Sequence, residues 1–91
     1  MTLQGIQLEV LQTVATILEA TSAQEVEDSQ IAEEIEMDIN LVRNSLKALA
    51  EAGHVRLEKM ETLSGLAYNA FLTSKGETTL EESRHLASEK L

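Results

Sequence analysis

The chain has 91 residues, of which 16 are acidic and seven are basic, so its formal net charge is −9. A chain of this length forms one domain, residues 1–91, and buries only roughly 60–65% of the surface that its unfolded form exposes. It contains no cysteine, which excludes a disulfide and a thiolate metal site.

Hydropathy and aromatic content restrict the protein class further. No apolar run approaches the roughly 20 residues of a membrane helix, and the N-terminus lacks the basic segment and cleavage site of a secretory signal. We therefore expect a cytoplasmic protein with no membrane contact. Tyr68 and Phe71 are the only aromatic residues, which disfavours binding of single-stranded nucleic acid by base stacking.

The first predicted helix covers residues 3–20, because its apolar residues recur at steps of three and four. They are Leu3, Ile6, Val10, Val14 and Ile17, with Leu8, Leu11, Ala15 and Leu18 widening the face. So broad a face indicates either the central helix of the core or a helix that contacts both the core and another element.

Two further helices are predicted in close succession after a polar break at residues 21–23. Residues 24–27 are expected to form a short edge strand with Val26 pointing inward, and Asp28 to act as N-cap of a helix. The following helix begins at the N-cap Asp38 and ends at Gly53, a residue suited to a left-handed C-terminal position. Its buried stripe consists of Val42, Leu46 and Leu49.

The remaining segment predicts a β-hairpin followed by a last helix. Residues 54–60 and 67–73 alternate in polarity, and residues 61–66, which include Ser64-Gly65, are expected to form a loop of about six residues. The helix at about 75–90 is expected to be capped by Thr73 or Ser74. Its apolar residues are Leu80, Leu86, Ala87 and Leu91.

This order of elements resembles the winged helix-turn-helix core of MarR-like and penicillinase-repressor-like bacterial regulators. The matching positions lie within residues 28–76: Ile31-Ala32, Val42, Leu46 and Leu49, Ala52-Gly53-His54-Val55, and Leu72-Thr73 with Gly76. The resemblance implies a mainly α fold with a small β-hairpin. It implies a three-helix core, a wing of two or three strands and a C-terminal helix, with residues 24–76 as the core of the domain.

The resemblance also implies a function. The second helix of the pair would enter the major groove of double-stranded DNA, the hairpin would touch the flanking backbone, and a homodimer would form through helices 3–20 and 75–90. The chain departs from the family at the wing tip, residues 61–66, which contains no Arg or Lys. It is also shorter than full-length members of the family.

The charge distribution shows where DNA would have to bind. Acidic residues crowd positions 25–36, whereas residues 40–50 contain none. Asn40, Arg43, Asn44 and Lys47 are spaced to share one exposed helical face, and these side chains suit the reading of bases in the major groove. Arg56 and Lys59 on the first wing strand are expected to contact phosphates. These six residues are the predicted DNA-binding site.

Two alternatives to DNA binding are open on the sequence alone. Arg43 and Lys47 could belong to an ordinary solvated face, paired with Glu51 or with the acids of the preceding helix. The fold could instead serve as an acidic protein–protein interaction or dimerisation module, with Leu41, Leu63 and Leu66 as exposed contacts.

Other chemistry is weakly indicated. Glu33, Glu34 and Glu36 are most simply a solvated face, and His54 and His85 lack metal-ligand spacing. No catalytic triad or phosphate-binding loop is present, so we expect a non-enzyme without metal or cofactor. Phe71 is expected to pack under the first helix or to enter a dimer contact.

Overall fold

The computed structural model describes the backbone of residues 5–63 and 65–89, and the side chains of this range as far as residue 83. The described chain forms four helices and a three-stranded antiparallel sheet with strand order β1-β3-β2, an arrangement compatible with a winged helix. The elements are α1 (Gly5–Thr21), β1 (Val26–Glu27), α2 (Asp28–Glu34), α3 (Ile39–Glu51), β2 (Val55–Thr62), β3 (Gly65–Leu72) and α4 (Ser74–Glu89).

The core lies where the four helices and the inner face of the sheet meet. It is built almost entirely from aliphatic side chains: Val10, Leu11, Val14, Val26, Ile31, Val42, Leu46, Leu49, Val55, Ala70 and Leu80. The predicted stripe of α3 is confirmed, since its three members are fully buried. In α1 the buried face is narrower than expected, because Ile6 is 44% exposed. Leu3, Leu86, Ala87 and Leu91 lie outside the described side chains.

The N-terminus of α2 differs from the prediction, because the N-cap is Glu27 and not Asp28. Strand β1 pairs Val26 with Ala70 and Glu27 with Asn69, so the chain is extended up to Glu27. The backbone N–H of Glu27 donates to Oε1 of Gln30 at 2.9 Å. Asp28 is therefore the first helical residue, and its carboxylate turns into the protein and is only 1% exposed.

Helices α2 and α3 end in the same hydrogen-bond pattern. At the end of α3, Gly53 has φ +87° and the N–H of His54 donates to the carbonyl of Leu49 at 2.9 Å, as the predicted left-handed glycine requires. At the end of α2, Glu36 takes the left-handed position with φ +49°, and Met37 N donates to Ala32 O at 3.0 Å. The turn from α2 to α3 is thus short without a glycine.

The hairpin is tighter than the sequence indicates. Strands β2 and β3 stay paired up to Thr62 opposite Gly65, so two residues connect them and not about six. The hydroxyl of Thr62 donates to the carbonyl of Gly65 at 2.8 Å, and Gly65 has φ +120°. The positive φ explains the glycine, and the long pairing extends the wing by two residue pairs beyond the predicted strands.

Helix α4 begins against the end of α3. Thr73 is its cap, because the N–H of Gly76 donates to Thr73 Oγ1 at 3.0 Å. The same hydroxyl lies 2.6 Å from the carbonyl oxygen of Gly53 and 2.9 Å from that of His54. A Cβ on Gly76 would lie 2.2 Å from the carbonyl oxygen of His54, so this contact exists only because residue 76 has no side chain. The Lys75 ammonium donates to the carbonyl of Ala52.

The outer face of the sheet carries Phe71. Its ring lies under the Arg56 guanidinium, with Cζ 4.2 Å from the ring centroid, and it is not part of the core cluster. The expectation that Phe71 packs under the first helix is therefore not met, because strand alternation directs it away from Leu72. No helix within the described residues is long and apolar enough to cross a membrane.

Candidate nucleic-acid interface

The outward face of α3 is polar and free of acid over three turns. Asn40, Asn44 and Lys47 are exposed, and Leu41 beside them is 48% exposed. Asp38 fixes the start of this helix, because its Oδ1 accepts the N–H of Asn40 at 2.8 Å. The structure thus presents three of the four predicted α3 residues to solvent, with amide and ammonium groups that can bond base edges or phosphates.

Arg43, the fourth predicted α3 residue, turns toward the protein. Its Nε donates to Oδ2 of Asp28 at 2.7 Å, and its Nη2 donates to the carbonyl oxygen of Leu66 at 2.8 Å. Only 28% of its side chain is exposed, against 1% for that of Asp28. Arg43 thus makes the pairing with an acid of the preceding helix that the sequence left open, but it does not lie on a solvated face, because its side chain is largely covered.

Tyr68 lies at the junction of α3 and the wing. The Nζ of Lys47 is 5.5 Å and the Cζ of Arg43 is 5.9 Å from the centroid of its ring. Lys59 is the partner of Tyr68 in the strand register, so it emerges on the same face of the sheet. Lys47, Lys59 and the Tyr68 ring therefore lie on one side of the junction between α3 and the wing. Tyr68 is not among the residues of the predicted DNA-binding site.

Arg56 is separated from this group. It is paired with Phe71 in the register and so lies on the opposite face of the sheet from Lys59. Its Nη1 donates to Oε1 of Glu58 at 3.0 Å, and both side chains are more than half exposed. An exposed pair of this kind contributes about 0–1 kcal/mol, so Arg56 can exchange Glu58 for another anion at little cost.

The wing tip carries no positive charge among the described residues. Glu61 and Thr62 end β2, and Leu63 is fully exposed at the turn. The positive groups of the wing therefore lie on the body of the strands, at Arg56 and Lys59, and not at its end.

The other candidate chemistry gains little from the structure. Among the described residues, no group of three His, Asp or Glu side chains is placed to hold a metal ion. His54 is 7% exposed and is therefore buried, and its Nδ1 lies 3.2 Å from the Thr79 hydroxyl. Burial lowers the pKa of His54, and the charge of Lys75 lowers this pKa further.

An open groove of about 560 Å³ lies between α1 and α4. Apolar side chains that include Leu18, Leu72 and Leu80 line it, together with the carboxylates of Glu19, Glu77 and Glu81. The groove is on neither the outward face of α3 nor the wing, so it is separate from the candidate interface.

Comparison with known proteins finds shared structure at low sequence identity. No family model matches the chain, and no curated protein sequence matches it. A solved structure of a candidate DNA-binding protein from Ralstonia eutropha JMP134 superimposes with a TM-score of 0.69 at 20% identity, covering 88% of this chain and 95% of that one.

Two other solved structures are similar. A candidate transcriptional regulator from Methanosarcina mazei Go1 gives a TM-score of 0.63 at 14% identity over 97% of this chain and 76% of that one. The YusO protein of Bacillus subtilis gives 0.64 at 19% identity over 93% of this chain, which spans 58% of that protein's length. At such identities the likeness establishes a common fold.

Proposed function

We propose that the protein is a winged helix-turn-helix transcriptional regulator that binds duplex DNA as a homodimer. The observation that carries the proposal is the outward face of α3, which has no acid between Asn40 and Ala50 in a chain of net charge −9. The flanking acids are at the two ends of the helix, the N-cap Asp38 and the last residue Glu51. A helix face without acidic side chains suits the binding of DNA, because carboxylates would repel its phosphates.

In the proposed complex α3 lies in the major groove. The amides of Asn40 and Asn44 suit the N6 and N7 edge of adenine, and Lys47 reaches guanine or a phosphate. Lys59, opposite Tyr68 on the inner face of the wing, and Arg56 on its outer face contact phosphates on the flanking backbone. Arg43, the sixth member of the predicted site, bonds Asp28 and the Leu66 carbonyl, so most of its hydrogen-bonding capacity is used within the protein.

The fold supports this reading. Two of the similar structures belong to proteins described as a candidate DNA-binding protein and a candidate transcriptional regulator. The resemblance to MarR-like and penicillinase-repressor-like regulators implies that α3 would enter the major groove and that the wing would touch the flanking backbone. A regulator of this kind works without catalysis, and its sites for DNA need neither metal nor cofactor.

The proposed homodimer forms through α1 and α4. Ile6 on α1 is 44% exposed, and the open groove between α1 and α4 is lined by leucines and glutamates alike, so a second copy would meet both apolar and acidic groups there. Two copies would place their α3 helices about 34 Å apart on one side, matching one turn of DNA. Sedimentation of the protein alone is expected to show a dimer.

Binding to a pool of random duplex DNA at low salt tests the proposal. Lys47→Gln is expected to weaken binding and to reduce the slope of log affinity against log salt by about 0.9, the value for one lost phosphate contact. The matched control is Lys75→Gln, which removes the same charge at the far end of α3, where Lys75 contacts Ala52. Absence of binding by the wild type, or equal losses in both variants, would refute the proposal.

A second candidate, an acidic protein-interaction module, is favoured by one observation. Leu41, Leu63 and Leu66 are 48%, 110% and 39% exposed, so α3 and the wing both carry large apolar side chains that a protein partner could cover. A basic protein partner would be attracted to the acids of α2. Recovery of one stoichiometric partner, lost when Glu33 and Glu36 are both changed to Lys, would favour this candidate over DNA binding.

A further inference from the structure

The Asp28 carboxylate is the most deeply buried charged group among the described side chains. It is 1% exposed, and its two oxygens accept from Ser29 N at 2.8 Å and from Arg43 Nε at 2.7 Å. A buried carboxylate without a countercharge is strongly destabilising, so the protein keeps Arg43 at this position. Within the described residues, Arg43 is the one base that pairs with it.

The other end of the Arg43 guanidinium reaches the wing. Strand β1 pairs with β3 only at Ala70 and Asn69 and then becomes α2, so nothing from β1 supports β3 nearer to the tip. Arg43 donates to the carbonyl of Leu66, which lies in the part of β3 that pairs with β2 but is not reached by β1. Its Cζ also lies 5.9 Å from the Tyr68 ring. One side chain on α3 is thus bonded both to α2 and to the wing.

We propose that Arg43 is a positioning residue of the DNA interface, and that Asp28 holds it in that role. The Asp28–Arg43 pair sets the separation of α3 from the wing, and with it the distance between the groups that read bases and the Lys59 ammonium that meets phosphate. This inference rests on the proposed DNA binding but assigns Arg43 a different part in it. Two of the three guanidinium nitrogens are engaged within the protein, so the readers of α3 are Asn40, Asn44 and Lys47.

The two roles of Arg43 predict opposite effects of Asp28→Asn. If Arg43 positions the wing, the variant loosens the wing and binds DNA severalfold more weakly. If Arg43 contacts DNA directly, the variant releases it toward the groove and binding becomes tighter. Glu33→Gln is the matched control, because it removes one negative charge from an exposed position of the same helix.

The salt dependence of DNA affinity also distinguishes an Arg43 that positions the wing from an Arg43 that contacts DNA directly. A lost phosphate contact reduces the slope of log affinity against log salt by about 0.9. For Arg43→Gln we expect weaker binding with a slope that changes by much less than this. A full loss of 0.9, together with tighter binding by Asp28→Asn, would overturn the positioning role.

Amide hydrogen exchange tests the positioning role without DNA. In Asp28→Asn and Arg43→Gln, exchange at Ala67 and Tyr68 is expected to become faster than in wild type, while Glu33→Gln leaves it unchanged. Unchanged exchange in the first two variants overturns the role, whatever the DNA result. Faster exchange together with no DNA binding by the wild type supports the link between α3 and the wing and overturns the proposed function.

Arg43→Lys tests the positioning role even if Asp28→Asn and Arg43→Gln fail to fold. Lysine preserves the charge beside Asp28, but its single ammonium cannot bond that carboxylate and the Leu66 carbonyl as the planar guanidinium does. We expect a folded protein with faster exchange at Ala67 and weaker DNA binding. Wild-type exchange and wild-type affinity in this variant would overturn the proposal.

Discussion

Replacing Gly76 by alanine is expected to destabilise the protein, although alanine is the better helix former by about 1 kcal/mol. The new Cβ would lie 2.2 Å from the carbonyl oxygen of His54 and 2.8 Å from Cδ1 of Leu72. Carbon and oxygen atoms normally approach to about 3.3 Å, so the overlap with the oxygen is roughly 1 Å.

The His54 oxygen cannot move away cheaply. It accepts from Thr73 N at 3.2 Å and lies 2.9 Å from the Thr73 hydroxyl, so relief of the clash would break the junction of α3 and α4. Overpacking costs about 1–3 kcal/mol even where neighbours can adjust. Because the His54 oxygen cannot adjust, the upper end of this range applies, about 3 kcal/mol, less the gain of about 1 kcal/mol from helix propensity. We therefore expect a net loss of about 2 kcal/mol, which lowers the Tm of a domain this size by about 8–16 °C.

Urea and thermal unfolding followed by circular dichroism measure this loss. Thr78→Ala is the matched control, because Thr78 is exposed on the same helix and its replacement should change stability by no more than about 0.5 kcal/mol. A Gly76→Ala protein as stable as the wild type would show that α4 does not begin against His54, and the described junction would be wrong.

Three further substitutions test the core, a helix cap and a buried histidine. Leu46→Ala, at a fully buried position, should cost about 2–5 kcal/mol in urea unfolding, and a cost below about 1 kcal/mol would contradict its place in the core. Asp38→Ala removes the cap on Asn40 N and should cost about 0.5–2 kcal/mol in the same assay. Because burial and Lys75 lower the pKa of His54, the unfolded chain binds the proton more readily than the folded protein. Stability should therefore fall as the pH drops below about 6.5, by at most about 1.4 kcal/mol per pH unit from this group. The difference between wild type and His54→Gln isolates that contribution, and identical pH profiles would contradict it.

The parts of the fold that were predictable are those whose signals are local. Helix α3 has an Asp cap, an apolar stripe and a terminal glycine, and the structure contains all three. The end of α2 has no such signal, because Glu36 adopts a left-handed conformation that costs about 1–2 kcal/mol without glycine. Ile35 and Met37 on either side of Glu36 pack against the core, and packing of this kind is not visible in a short stretch of sequence.

The parts of the candidate site that were not predictable depend on long side chains and on the packing of α3 against the hairpin. Helical spacing places Arg43 with Asn40 and Lys47, but the side chain reaches an aspartate 15 residues earlier in the chain. Helical spacing predicts the direction in which a side chain leaves the backbone, but not the position of the charged group at the end of a long side chain. Tyr68 was overlooked for a related reason. The predicted strands already place it opposite Lys59, but the approach of the Lys47 ammonium to its ring depends on how α3 packs against the hairpin.

The close contact at Gly76 has a mechanical consequence for the proposed homodimer. The start of α4 packs on the carbonyl of His54, three residues after α3 ends. The helix proposed to join two copies is therefore in direct contact with the end of the helix proposed to enter DNA. In the proposed homodimer, a rotation of α4 would therefore rotate α3 as well. A few degrees at the dimer contact would then change the distance between the two α3 helices, and so decide whether both fit successive turns of one DNA duplex.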